Sequence, residues 1–215
     1  MEKFYFELPS IERKDEVLDF LKEFNEYKSE IHGSGGLNKC NKDMTYEEWL
    51  DFVIKCMEDD YGKEHNLVPA TTYLTIRESD NRIIGIVNIR HYLINFLREI
   101  GGNIGYSIRP TERGKGYAKI QLYLALIECK KLGIESAMID CIKSNIKSEK
   151  TIKALGGVFE KEVYDQPRKR VLRNYWINVE ESLEKYKDIY GKYILKKKRK
   201  WYYEDYWSKK FIKRI

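Results

Sequence analysis

The stretch GGNIGYSIRPTERGKGYA, residues 101–118, decides the reading of this 215-residue chain. Residues 103–109 read as a strand that stops at Pro110, because proline brings no N–H to a ladder. Glycines at 114 and 116 then precede a long apolar stretch, 120–132, which Gly133 closes as the residue just past a helix end. A strand, a glycine-rich turn and a buried helix therefore follow one another. Glycines between a strand and a helix usually serve phosphate: the backbone can approach an anion, and the helix N-terminus presents free N–H donors and a favourable dipole. The two common nucleotide patterns fail here. Gly114-Lys115 is followed by Gly116 where a P-loop needs Ser or Thr, and the dinucleotide spacing is broken because Gly114-Lys115-Gly116 runs on to Lys119.

Working outward, residues 71–77 and 82–93 are β-branched and apolar, and the Glu78-Ser79-Asp80-Asn81 connection suits an antiparallel hairpin. On the other side, residues 134–142 form a strand, Ser144-Asn145 starts a helix and Gly156-Gly157 ends it. The strand–helix–strand–helix alternation predicts parallel pairing between 103–109 and 134–142. Two more strands, 158–164 and 171–179, flank the turn at Asp165-Gln166-Pro167-Arg168. Near the start, residues 3–8 read as a strand leading into an amphipathic helix with Val17, Leu18, Leu21 and Phe24 inward. After the loop 32–36, Thr45 and Glu48 make a capping box for a second helix with Trp49, Phe52, Val53, Cys56 and Met57 inward. Beyond residue 179, Leu183, Tyr186, Ile189, Tyr190 and Tyr193 mark a further helix, followed by KKKRK at 196–200 and WYYEDYW at 201–207.

The run Arg113-Gly114-Lys115-Gly116-Tyr117-Ala118, with its strand, proline and apolar helix, resembles the R/Q-x-x-G-x-G/A signature of the GNAT N-acetyltransferase superfamily. Ser144-Asn145, Ser148 and the Gly156-Gly157-Val158-Phe159 segment resemble that superfamily's motif around its fourth helix. The resemblance is strongest over residues 71–178, weaker over 1–60 and absent over 180–215, and it points to a predicted-acetyltransferase subgroup with IRH before a GG-x-IGYSIRP strand. It implies an α/β (α+β) GNAT fold: a mixed central sheet of about seven strands flanked by helices over residues 1–179, with a basic, aromatic helical extension over 180–215.

It also implies a function: acetyl transfer from acetyl-CoA to a primary amine of a small molecule or peptide, by direct attack on the thioester and with no metal. Arg113, Gly114, Lys115, Gly116, Tyr117 and Ala118 are the implied pyrophosphate site, and Ser107, Ile108 and Arg109 the implied pantetheine and thioester contacts. Asn145 and Ser148 are expected on the pantetheine arm. Taken alone, Ser144 or Asn145 reads equally well as a helix cap. An amine with a reference pKa of about 10.4 needs a base near neutral pH, and the candidates are Glu99 and His91. Ile152 stands seven residues after Asn145, where the family often has a proton-donating tyrosine, so Tyr106, Tyr123 or water must serve the departing thiolate.

Composition sets the remaining bounds. The chain is 42% hydrophobic and 34% charged, as expected of one folded domain. The first residues show no leader pattern, no uncharged run approaches a membrane span, and the four cysteines are too sparse for a disulfide scaffold. A cytoplasmic protein with reduced thiols is the expectation. The net charge of +6 belongs to residues 180–215, which hold 12 Lys/Arg against 6 Asp/Glu, leaving 28 against 28 before them. Nucleic acid binding by the main body is thereby disfavoured. The tail is expected to pack on its own domain or on a twin subunit in a homodimer. A silent acyl-CoA-binding module and a nucleic-acid binder using the tail are the competing function classes.

Overall fold

The computed structural model describes residues 1–40 and 42–195. Seven strands form two sheets. The first carries β1 (Phe4–Glu7), β2 (Ala70–Arg77), β3 (Arg82–Arg90) and β4 (Ile104–Ile108) in that order, and the second orders β5 (Ser136–Ile142), β7 (Arg170–Asn178) and β6 (Val158–Asp165). All the ladders between these strands are antiparallel. The hairpins are those the turn residues predict, and Asn81 takes the left-handed conformation (φ 55) at the β2–β3 turn.

The expected parallel ladder between the strands at 103–109 and 134–142 does not form. Asn103 N–H donates to the Met138 carbonyl at 2.7 Å, and the Asn103 side chain accepts from Met138 N–H at 2.9 Å while donating to the Arg90 carbonyl at 3.2 Å. Beyond that rung β4 and β5 part. Each is held by an antiparallel ladder on its other side, β4 to β3 and β5 to β7. The twist of those two ladders carries the strands away from each other, against the weaker parallel pairing.

Helices cover both faces. On one lies α5 (Tyr117–Lys131), whose Leu122, Ala125, Leu126 and Cys129 pack with Val87, Ile139 and Tyr175. It is apolar nearly all round, because α6 (Ile146–Lys153) and α7 (Val179–Lys185) bury its flanks. On the other face α1 (Lys14–Glu26) and α2 (Tyr46–Lys55) bury Val17, Phe20, Phe24 and Trp49 against Leu74, Ile76 and Ile86. Full burial of such side chains contributes roughly 1.5–3 kcal/mol each. The capping box is present in full: Thr45 Oγ1 accepts from Glu48 N–H and the Glu48 carboxylate from Thr45 N–H.

Several boundaries differ from the sequence reading. The strand placed at 82–93 stops at Arg90, and the second helix ends at Lys55, leaving Cys56 and Met57 half-buried beyond it. Two short helices, α3 (Asp59–Glu64) and α4 (Asn95–Glu99), had no sequence signal long enough to show a period. The helix expected after residue 179 is broken into α7, α8 (Lys187–Tyr190) and a 3-10 turn, Gly191–Tyr193. Tyr186, Tyr190 and Ile194 pack against the core, and Leu195 N–H donates to the Phe4 carbonyl. KKKRK at 196–200 and the aromatic run at 201–207 lie outside the described residues.

The single rung makes Asn103 the joint of the molecule. Asn103→Ala leaves Met138 N–H and Arg90 C=O unpaired in a buried place, at about 1–3 kcal/mol each. Urea unfolding should show a loss of about 3 kcal/mol, and a loss under 1 kcal/mol would mean that the two sheets are joined by other means.

Candidate active site

After β4 the chain passes through a 3-10 turn, Pro110–Glu112, before reaching α5. Ion pairs lock this corner. Arg109 is buried, gives Nε–H to the Ile83 carbonyl and pairs through Nη1 with Asp19 and Glu23 of α1, both at 2.9 Å. Glu112, equally buried, accepts from Arg77, Arg82 and Lys115 at 3.0, 3.2 and 2.8 Å. Burial pushes its carboxyl up, but Lys115 and Arg77 prevail and hold it below the usual range. Arg113 donates to the Ile108 carbonyl and to Ser29 Oγ and lies over the Phe24 ring. The side chains of Arg109, Arg113 and Lys115 are therefore occupied in holding the loop.

The loop's backbone is not. Gly114 and Gly116 both have φ +84, a conformation L side chains rarely adopt, and a Cβ at either would meet open space. Conformation, not crowding, selects glycine. The N–H groups of Gly114, Lys115, Gly116, Tyr117 and Ala118 have no acceptor among the described residues, and α5 begins without a side-chain cap. Lys119, one turn in, has no ion-pair partner among the described residues.

Across the parting of β4 and β5 stands the N-terminus of α6. Asn145 caps it, accepting Ser148 N–H on Oδ1 at 3.1 Å. Ser148 Oγ lies 3.0 Å from the hydroxyl of Tyr106, so the β4 tyrosine spans the gap to α6. Burial pushes its phenol up to about 12, against a smaller opposing effect of the Ser148 hydrogen bond. Ile152 is fully buried in the core beneath. Beside it Glu149 accepts from Lys153 at 2.6 Å and from Tyr175 and Arg173, each at 2.9 Å. The hydrogen bonds of Lys153 and Tyr175 bring its carboxyl down to about 2, while burial pushes the neighbouring Cys141 thiol up to about 12.

The segment between α1 and α2 closes the opposite face. His32 N–H donates to Ser107 Oγ at 2.7 Å, and Trp49 Nε1–H is shared by the Ser34 and Gly35 carbonyls, each at 3.1 Å. Gly33, at φ +65, lies so close to β4 that a Cβ would come 1.9 Å from the Gly105 carbonyl oxygen. Tyr106 thus links β4 to Ser148 of α6, and Ser107 links β4 to the segment at His32. Glu99 and His91 are bonded to other residues. Glu99 ends α4 and pairs with Lys161 of β6 at 2.6 Å. His91 follows β3, with Nε2 2.9 Å from Thr71 Oγ1 and its N–H on the Pro69 carbonyl. In sequence alone the loop 32–36, with Glu26 and Glu30, could line a cavity for a cationic amine; Asp140, whose carboxylate accepts Gly101 N–H at 2.7 Å, had no signal there. The only local signal was the Gly-Ser-Gly-Gly run after His32, which allows a close approach but does not say to what.

A family model described as an acetyltransferase (GNAT) domain matches residues 17–158. No curated protein matches the chain. Among solved structures, the ribosomal-protein-S5-alanine acetyltransferase of Vibrio fischeri superposes with TM-score 0.60 at 19% identity, covering 83% of this chain and 94% of that one. The microcin C7 self-immunity acetyltransferase, solved with acetyl-CoA and AMP, gives TM-score 0.56 at 17% identity over 81% and 91%. The spermidine/spermine N-acetyltransferase of Vibrio cholerae gives TM-score 0.56 at 14% identity over 85% and 98%. At such identities the likeness is one of fold. No described helix is long and apolar enough to cross a membrane.

The Glu149 cluster under α6 sets a pH dependence. A carboxyl held below its usual 4.5 stabilises the fold above that pH, and the contribution is lost as pH falls toward about 2. Glu149→Gln should therefore be less stable than wild type in urea at pH 7, with the gap clearly narrower at pH 3. A gap that persists unchanged at pH 3 would show that packing, not charge, is at stake.

Proposed function

The chain belongs to the acetyltransferase (GNAT) domain family of acyltransferases, and from that premise we propose that it moves an acetyl group from acetyl-CoA to a primary amine by direct attack on the thioester. One observation carries the reading: five adjacent N–H groups, from Gly114 to Ala118, stand without acceptors among the described residues where α5 begins. Such a row at a helix N-terminus is what a pyrophosphate requires, and Lys119 adds a charge sensitive to salt. Arg113 and Lys115 serve this site by shaping its loop through Ile108, Ser29 and Glu112.

Parted from β5, the outer edge of β4 is left to the pantetheine arm and the thioester. Ser107, Ile108 and Arg109 hold that edge in place, with Arg109 anchored through Asp19 and Glu23. Asn145 serves from α6, its Oδ1 on the helix and its amide N–H groups left to the ligand. When bound, acetyl-CoA supplies the activated acyl group. Tyr106 offers its O–H toward the leaving sulfur, in place of the tyrosine that Ile152 replaces. The structural neighbours include acetyltransferases of a ribosomal-protein alanine, of spermidine/spermine and of microcin C7 self-immunity, which recommends short peptides and polyamines as the first acceptors to try.

Acetyl-CoA at a hundred times its Kd should stabilise the native state by about 2.7 kcal/mol, a rise in Tm of roughly 5–10 °C for a chain of this size. Gly114→Val and Gly116→Val put β-branched residues where φ is +84, and each should weaken acetyl-CoA binding at least tenfold by calorimetry. Amine-dependent thiol release completes the test. No Tm rise at saturating acetyl-CoA would sink the reading.

A further inference from the structure

We propose that His32 is the catalytic base of this transfer, taking a proton from the acceptor amine where the segment between α1 and α2 crosses β4. The assignment rests on the acetyltransferase reading. Three attachments fix the place: the backbone of His32 on Ser107, that of Gly33 against Gly105, and those of Ser34 and Gly35 on Trp49. Ser107 and Gly105 belong to β4, so His32 is held against that strand through main-chain contacts in which the imidazole takes no part. That side chain is 43% exposed, enough to meet a substrate from solvent while its backbone stays clamped.

The charges around it suit a base. Glu30, on its own segment, lies 3.4 Å from Nε2 and stabilises the imidazolium that forms when a proton is taken. Asp140 of β5 acts in the same sense, while Arg170 of β7 and Arg168 of the β6–β7 turn oppose it. Both guanidinium groups are themselves paired, Arg170 with Glu30 at 2.9 Å and Asp165 at 3.3 Å, and Arg168 with Asp165 at 3.2 Å. Partial burial is the largest influence and lowers the imidazole pKa, which favours the neutral, proton-accepting ring. Glu99 and His91, the two candidates read from the sequence, bond to Lys161 and Thr71 and not to the strand that carries Ser107.

The protons balance. An ammonium acceptor gives one proton to the His32 imidazole, directly or through one water, and the neutral amine attacks the thioester carbon. The new C–N bond forms as the C–S bond breaks. The second nitrogen-bound proton ends on the CoA sulfur, and His32 returns its proton to solvent.

The experiment compares wild type, His32→Gln and His32→Ala with acetyl-CoA and whichever amine of a polyamine and alanyl-peptide panel gives the fastest thiol release. Both variants should lose at least about 100-fold in kcat while keeping the acetyl-CoA-induced Tm rise, and added imidazole should restore part of the rate of His32→Ala. Glu30→Gln, which removes the carboxylate nearest the ring, should move the acid limb of kcat/KM to lower pH. A kcat within threefold of wild type overturns the assignment. So does a loss that comes with a vanished Tm rise or resists imidazole, since the role would then be structural. A wild type that binds acetyl-CoA but releases no thiol with any amine overturns the acetyltransferase reading first, and is recognised without any variant.

Discussion

The architecture turns on one rung. Asn103 joins β4 to Met138 of β5, and past it no backbone hydrogen bond links the two strands among the described residues. Had the parallel ladder continued, the polar edge of β4 would have been used up by β5 and the molecule would be one closed sheet. Because it stops, Tyr106 of β4 meets Ser148 of α6, and the two sheets part beyond Asn103. Each strand is braced on its other side, β4 by the β3 ladder and α5, β5 by β7 and α6.

Electrostatics then fixes the loop that begins α5. Glu112 is surrounded by three cations, and Arg109 is held by two carboxylates of α1. These are buried or half-buried pairs, in which removal of one partner costs far more than the pair contributes. They serve position more than stability. With its side chains so committed, the loop has only its backbone left to offer a ligand, and the two left-handed glycines set the direction in which that backbone faces.

Much of this was legible in the sequence because it is local. The capping box at Thr45 and Glu48, the β2–β3 hairpin, the strand–Pro110–glycine turn and the helix end at Gly133 each depend on residues within a few positions of one another, and each is present as read. The parallel pairing failed because it was inferred from element order, which cannot see that β4 and β5 each have a better antiparallel partner. The same limit hid the surroundings of His32. Its neighbours are Ser107, Asp140 and Arg170, far away in sequence and brought together only by the fold, whereas Glu99 and His91 sat beside the central strand in sequence and found other partners in space.

In the proposed transfer, the phenol of Tyr106 would bear on how the leaving group is handled. Burial lifts it to about 12, above the usual range of a thiol. Full proton transfer from that phenol to a thiolate would then run uphill. A hydrogen bond from Tyr106 to the departing sulfur carries no such penalty, and it stabilises the negative charge where that charge develops. The tyrosine is thus better suited to hold the sulfur than to protonate it, and the proton that finally rests on CoA comes more cheaply from the amine nitrogen, whose acidity rises sharply once the C–N bond has formed. On this account Ile152 costs the enzyme little: the core keeps an apolar side chain under α6, and the hydroxyl is supplied from β4.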